Sequence, residues 1–251
     1  MIKFFTLLFY LLYTSLASGQ SLEKIRSDAL IKVCTAGGFV PFSSYSNKGW
    51  EGFDIDMMKD FAEYLKADIE IINYNIDGII PALSANKCNL ISTGLVITEK
   101  RKKSVLFSGS YFKSNVIFLF KNDNKVLNNI KSAAKLNNPL FKIGVKIGTT
   151  NDFYATEHLQ KSHIFKYNEY GDLVNSVRNN KVDAIIIDSI YGKFIEKKFP
   201  GIFRYKNTQA QDQHFAVAAR NADKDLVEEF NKFLKEWKSS GKYELVYKKY
   251  F

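Results

Sequence analysis

The sequence predicts an α/β protein built as two βαβ lobes joined by two hinge strands, and three observations predict it. Short apolar, β-branched runs alternate with stretches of helical period through residues 31–101. The same alternation restarts near residue 141, and a further apolar run at 215–218 follows the second series. Strands and helices at this spacing make parallel βαβ units. A chain that leaves one lobe, builds another and returns crosses between them twice, so the cleft between the lobes is the natural place for a ligand.

The elements follow in order. Met1, Ile2 and Lys3 precede an apolar run at 4–13 and the small-residue stretch 14–19. That is the pattern of a signal peptide over residues 1–19, cleaved after Gly19. The run is shorter than the roughly 20 apolar residues a membrane span needs, and with no cysteine near the cleavage point a lipid anchor is not expected. Next come a strand over 31–34, a glycine-containing loop to Pro41, and a helix over 53–66 with Phe53, Met57, Phe61 and Leu65 on one face. A strand at 69–73, a helix at about 77–85 and a strand at 90–93 complete the first unit. A bridging strand at 116–120 leads to a polar surface stretch at 121–138. The second unit then reads strand 141–145, helix 151–159, strand 163–167, helix 172–179 and strand 184–187. After the return strand, one or two amphipathic helices fill 224–249. The lobes are expected to be 20–113 with 214–251, and 114–213, in a monomer. Right-handed crossovers place the loops after each strand on one edge, where such sheets bind ligands.

Composition narrows the function. The net charge is +10, from 36 Lys and Arg against 26 Asp and Glu, with 46% hydrophobic residues. The lysines are scattered through amphipathic patterns, so they read as a solvated surface, able to meet an anionic membrane or an acidic partner, and not as a nucleic-acid site. Export would permit a disulfide between Cys34 and Cys88. Their positions, late on one parallel strand and ahead of another, are expected to hold them apart as two buried thiols. His158, His163 and His214 show no metal-ligand spacing with the cysteines, and no nucleophile and base pair, phosphate loop or zinc motif stands out. No metal or cofactor is expected.

Four segments carry a resemblance over essentially the whole chain beyond the leader: Gly52-Phe53-Asp54-Ile55-Asp56, Ile79-Ile80-Pro81-Ala82-Leu83, Gly94-Leu95-Val96-Ile97-Thr98-Glu99-Lys100-Arg101 and Gly148-Thr149-Thr150. Residues 183–188 fit as well. In this order and spacing the chain resembles the amino-acid-binding class of bacterial periplasmic solute-binding proteins. The resemblance implies the type II periplasmic binding protein fold, a periplasmic location, a free and polar amino acid as ligand, and an ABC transporter permease as partner. It also implies a site. A free amino acid carries a carboxylate and an ammonium on one carbon, so a site that desolvates both must return a cation and an anion. Arg101 matches the arginine whose planar fork takes the carboxylate. Backbone N–H groups around Gly94 and Val96, and Thr149 and Thr150 at a helix start, can add donors to the same anion. Asp188, at the end of a strand in the other lobe, is the anion for the ammonium. Phe39 keeps one aromatic wall, while Ile76 stands where an aromatic is common. Val96 replaces a hydroxyl residue.

Each residue has a plainer reading. Taken singly, Arg101 belongs to a basic surface run, Thr149 and Thr150 are helix caps, Asp188 caps the following helix, and Phe39 is core. Asp54 and Asp56 suit a helix start. Ala36 stands where binders of basic amino acids carry an acid, so a cationic ligand would need another, with Glu51, Asp77 and Asp152 as candidates. The alternative function is that of a cyclohexadienyl dehydratase, an enzyme branch with the same likeness. Such catalysis needs a general acid, and in place of that branch's Asn-Glu-Arg run this chain has Asn151-Asp152-Phe153. The binding role, not an enzyme, is the expectation.

Overall fold

The computed structural model describes residues 20–208, 210 and 212–251, so the leader expected over 1–19 lies outside the described residues. The chain runs α1 (Gln20–Asp28), β1 (Leu30–Thr35), β2 (Ser44–Ser46), β3 (Gly49–Glu51), α2 (Phe53–Leu65), β4 (Asp68–Asn73), α3 (Ile79–Ser84), β5 (Leu90–Ile91), α4 (Glu99–Lys102), β6 (Leu106–Phe107) and β7 (Phe112–Ser114). It continues with β8 (Val116–Lys121), α5 (Lys125–Asn129), β9 (Lys142–Lys146), α6 (Thr150–His158), β10 (His163–Tyr167), α7 (Tyr170–Arg178), β11 (Ala184–Asp188), α8 (Ser189–Lys198) and β12 (Phe203–Asn207). It returns through β13 (Gln213–Phe215), β14 (Ala218–Ala219), α9 (Lys224–Ser239) and α10 (Lys242–Tyr250).

Two five-stranded sheets organise two lobes. The first is ordered β4-β1-β5-β14-β6 and the second β10-β9-β11-β8-β12. In each, a parallel core made by βαβ crossovers is flanked by antiparallel strands: β14 beside β5 in one, β8 beside β11 and β12 in the other. The strands that link the sheets, β7 and β13, pair antiparallel with each other, Phe112 opposite Phe215 and Ser114 opposite Gln213. The helices face the sheets as their periodicity requires. Phe53, Met57, Phe61 and Leu65 of α2 are all buried, and so are Leu226, Phe230, Phe233 and Trp237 of α9.

Three features depart from the sequence reading. An N-terminal helix and the β2–β3 hairpin are additions to it. The polar stretch 121–138 is no simple surface loop: Leu127, Ala133 and Leu136 are fully buried against β8 and β9, while the lysines and asparagines around them stay outside. Most directly, Cys34 and Cys88 form a disulfide, their Cα atoms 5.7 Å apart. The expectation of separated thiols took neighbouring parallel strands to hold the two positions apart. The chain instead leaves α3 over the sheet face and enters β5 only at Leu90, with Asn89 bonded to Lys32, so Cys88 rests on the face toward which Cys34 points.

Candidate functional site

The site is assembled where the two sheets present their loops to each other. Thr98 caps α4, accepting a hydrogen bond from the Arg101 N–H at 3.1 Å, and this turn buries Arg101 while Lys100, Lys102 and Lys103 stay exposed. The guanidinium donates to Val96 O at 2.9 Å and, from the other lobe, to Gly148 O at 3.3 Å. Burial lowers its pKa to about 10, against the opposing pull of the Asp188 charge, so it stays protonated at neutral pH.

Asp188 ends β11 at the cap position of α8, yet its side chain makes no capping bond. One carboxylate oxygen accepts from Asn151 Nδ2 at 2.9 Å, and the other, Oδ1, is buried without a partner. A buried acceptor left open is costly unless something supplies a donor. Burial raises the Asp188 pKa to about 6, and the Asn151 hydrogen bond and the Arg101 charge oppose that rise.

Around this pair the structure brings together the other six residues that the resemblance implies for the site. Phe39, Ile76, Gly94, Val96, Thr149 and Thr150 line one cavity of about 30 Å³ with Arg101 and Asp188. Their hydrogen bonds refine what each can offer. The Gly94 N–H is directed at Asp54 Oδ2, 2.6 Å away, so it is not an open donor. Around Val96 the pairing bonds run from Ile97 N–H to His214 O and from Ala216 N–H to Leu95 O, which leaves the Val96 N–H out of that ladder. The Thr149 hydroxyl caps α6, accepting from the Asp152 N–H at 3.2 Å and donating to Lys146 O at 2.7 Å. The Thr150 hydroxyl accepts from Gln213 Nε2 at 2.8 Å, tying α6 to β13. Phe39 is both wall and core: it stacks on Phe42 at 5.0 Å and on Tyr170 of the other lobe at 5.4 Å.

Sequence reasoning missed Tyr170, Asn151 and the support role of Asp54. Tyr170 opens α7 and also packs on Tyr191, centroids 4.7 Å apart, so the wall of the cavity is an aromatic cluster drawn from both lobes. A tyrosine at a helix start gives no local sign of that. Asn151 could have been found as the one polar side chain next to the two threonines. Asp54 is completely buried between Gly94 and Tyr111, and burial pushes its pKa up to about 7. It does begin α2, but it braces the loop at Gly94 as well as suiting the helix.

The three further acids stand outside the cavity. Asp152 accepts from the Gly148 N–H at 3.1 Å and from Thr156, and pairs with Lys166 at 2.9 Å. Glu51 is exposed in a groove with Lys197, Lys198 and Lys249. Asp77 packs against Gly148 across the cleft, where a Cβ on Gly148 would come 2.8 Å from the Asp77 Cβ. Gly148 has φ +74°, so glycine here serves both its left-handed backbone and the close approach of the lobes.

Comparison with known proteins agrees with this architecture. A family model described as "Bacterial extracellular solute-binding proteins, family 3" matches residues 31–251. A probable histidine-binding protein of Campylobacter jejuni is 30% identical over 221 residues, covering 88% of this chain and 84% of that one. An L-arginine-binding protein of Pseudomonas aeruginosa is 27% identical over 92% of this chain and 91% of its own. Among solved structures, an ancestral amino acid-binding protein described as a precursor of cyclohexadienyl dehydratase superposes with a TM-score of 0.85 at 32% identity, over 92% of this chain and 99% of its own. A mutant of ArgBP from T. maritima superposes at 0.84 with 28% identity over the same shares.

Proposed function

Because the chain belongs to family 3 of the bacterial extracellular solute-binding proteins, we propose that it captures a free amino acid in the periplasm and hands it to the permease of an ABC importer. The lobes of this reading are residues 20–113 with 214–251, and 114–213. One observation carries it: one small cavity is faced by a buried guanidinium from one lobe and, from the other, a buried carboxylate with one oxygen unpartnered. Arg101 directs one N–H at each of two carbonyls and keeps further donors for a ligand carboxylate. Asp188 Oδ1 is the acceptor that an ammonium satisfies. A ligand holding both favours the closed state over the open one by the difference in its contacts. The cavity of about 30 Å³ has room for only a couple of water molecules, so the lobes part to admit the ligand.

The experiment is a thermal-shift screen against the common amino acids, since a ligand that binds only the native state raises its melting temperature. Arg101→Ala should abolish the shift given by the wild-type ligand while the ligand-free variant still melts cooperatively. An undiminished shift would remove Arg101 from the site.

The dehydratase reading has a narrower basis. The neighbour described as a dehydratase precursor is itself called an amino acid-binding protein, and Asp152, the nearest counterpart of a general acid, is held by Gly148, Thr156 and Lys166. Incubation with prephenate should yield no phenylpyruvate.

A further inference from the structure

We propose that the site selects free amino acids whose side chains carry no charge, and that Lys146, standing over the Tyr170 ring, turns cationic side chains away. The proposal rests on the reading of Arg101 and Asp188 as the two ends of the zwitterion grip.

Counting charges leads to it. Arg101 and Asp188 are the charged residues that line the cavity, and they are of opposite sign. The α-carboxylate and α-ammonium of the ligand use both. A charge on the ligand side chain would then enter the cavity with no charged residue of its lining left to pair with, which is the costly case for a buried ion. None of the three acids that could have received a cationic side chain lines the cavity. Asp152 is bonded to Gly148, Thr156 and Lys166, and Glu51 lies in a separate groove among lysines. Asp77 is packed on the Gly148 backbone, and its charge, with that of Glu169, acts on Lys146.

Lys146 gives the exclusion a sign. It ends β9 with only 4% of its surface exposed, and its ammonium donates to Asn168 O. It lies 5.7 Å from the centroid of Tyr170, the ring that stacks on Phe39 to form the cavity wall. A second cation against that wall would repel the ammonium through a medium of low dielectric, where charges act strongly. The walls that remain for the side chain are Phe39, Tyr170, Ile76 and Val96, which suit an uncharged group.

The test is isothermal titration of the purified protein at pH 7.5 with alanine, serine, glutamine, phenylalanine, arginine, lysine and glutamate. At least one uncharged amino acid should bind, with arginine, lysine and glutamate at least ~100-fold weaker than the best of them. Lys146→Gln, and Lys146→Met, which keeps the stem without the charge, should narrow the ratio between arginine and the best uncharged ligand by about tenfold. Any charged amino acid binding within tenfold of the best uncharged one would overturn the substrate class and leave the zwitterion grip standing. Binding of no amino acid would overturn both. An unchanged ratio in both Lys146 variants, each folded by circular dichroism, would take the exclusion away from Lys146.

Discussion

In the proposed site, the buried Asp188 carboxylate lowers the stability of the ligand-free protein at neutral pH. Its pKa is raised from an ordinary 3.8 to about 6 by burial, so between those values the native state binds the proton more tightly than the unfolded chain does. The stability this gives is fully present below about pH 4 and is lost as the pH rises through 6. At pH 7.5 the ionised carboxylate is therefore a net liability of about 1–3 kcal/mol. Asp188→Asn removes it while preserving an acceptor for Asn151. We expect the ligand-free variant to melt roughly 3–8 °C above the wild type at pH 7.5, with no thermal shift from any amino acid. On the proposed reading the same titration acts on binding, because a ligand ammonium would need the ionised form. Affinity for the best ligand should fall about tenfold from pH 7 to pH 5, measured by calorimetry in matched buffers. At this scale the sequence was readable where a residue's chemistry is unusual for its surroundings: an arginine in a motif, an aspartate closing an apolar strand. It was silent on Tyr170 and on the committed state of the Gly94 N–H, because both follow from contacts across the cleft that no local pattern encodes.

Among the elements, the link between β1 and the start of β5 bears most on how the first lobe is held. Cys34 and Cys88 close a loop of 54 residues in sequence separation, which contains α2, β4 and α3. A cross-link of this span should stabilise by about 2–4 kcal/mol, chiefly by restricting the unfolded chain. The Cys34→Ala/Cys88→Ala variant, or the wild type under reductant, should melt several degrees lower while still binding ligand, since neither cysteine lines the cavity. Loss of binding at temperatures where the variant remains folded would show that the disulfide also shapes the site. The strands and helices of the βαβ units were legible from their periodicity. The pairing of the cysteines was not, because strand order alone does not say on which side of the sheet an entering loop lies. Nor was the 121–138 segment, where Leu127, Ala133 and Leu136 sit in a run dominated by Lys and Asn and join one buried cluster only in the folded lobe.

For the whole molecule, the two-lobed plan followed from the restart of the βαβ pattern and the return strand, but how tightly the lobes meet did not. They meet through the Arg101 bond to Gly148 O, the Phe39–Tyr170 stack, and Lys100 lying 4.9 Å over the Phe153 ring. Gly148 is one place where the lobes come close. Gly148→Ala would press a methyl on Asp77 only when the lobes are closed, at a backbone angle that also disfavours alanine. It should weaken ligand binding by roughly tenfold or more, beyond the ~1 kcal/mol of backbone strain, and enlarge the radius of gyration of the ligand-saturated protein in X-ray scattering.

Capture from both lobes at once is the claim on which the rest turns, and chemical blocking of one end of the ligand tests it directly. The best amino acid from the screen should be titrated beside its N-acetyl form, which lacks the ammonium, and its carboxamide, which lacks the carboxylate. Both should bind at least ~100-fold more weakly than the parent, each leaving one buried charge unanswered. Either derivative binding as tightly as the parent would contradict the account, because the molecule would then be held from one side only.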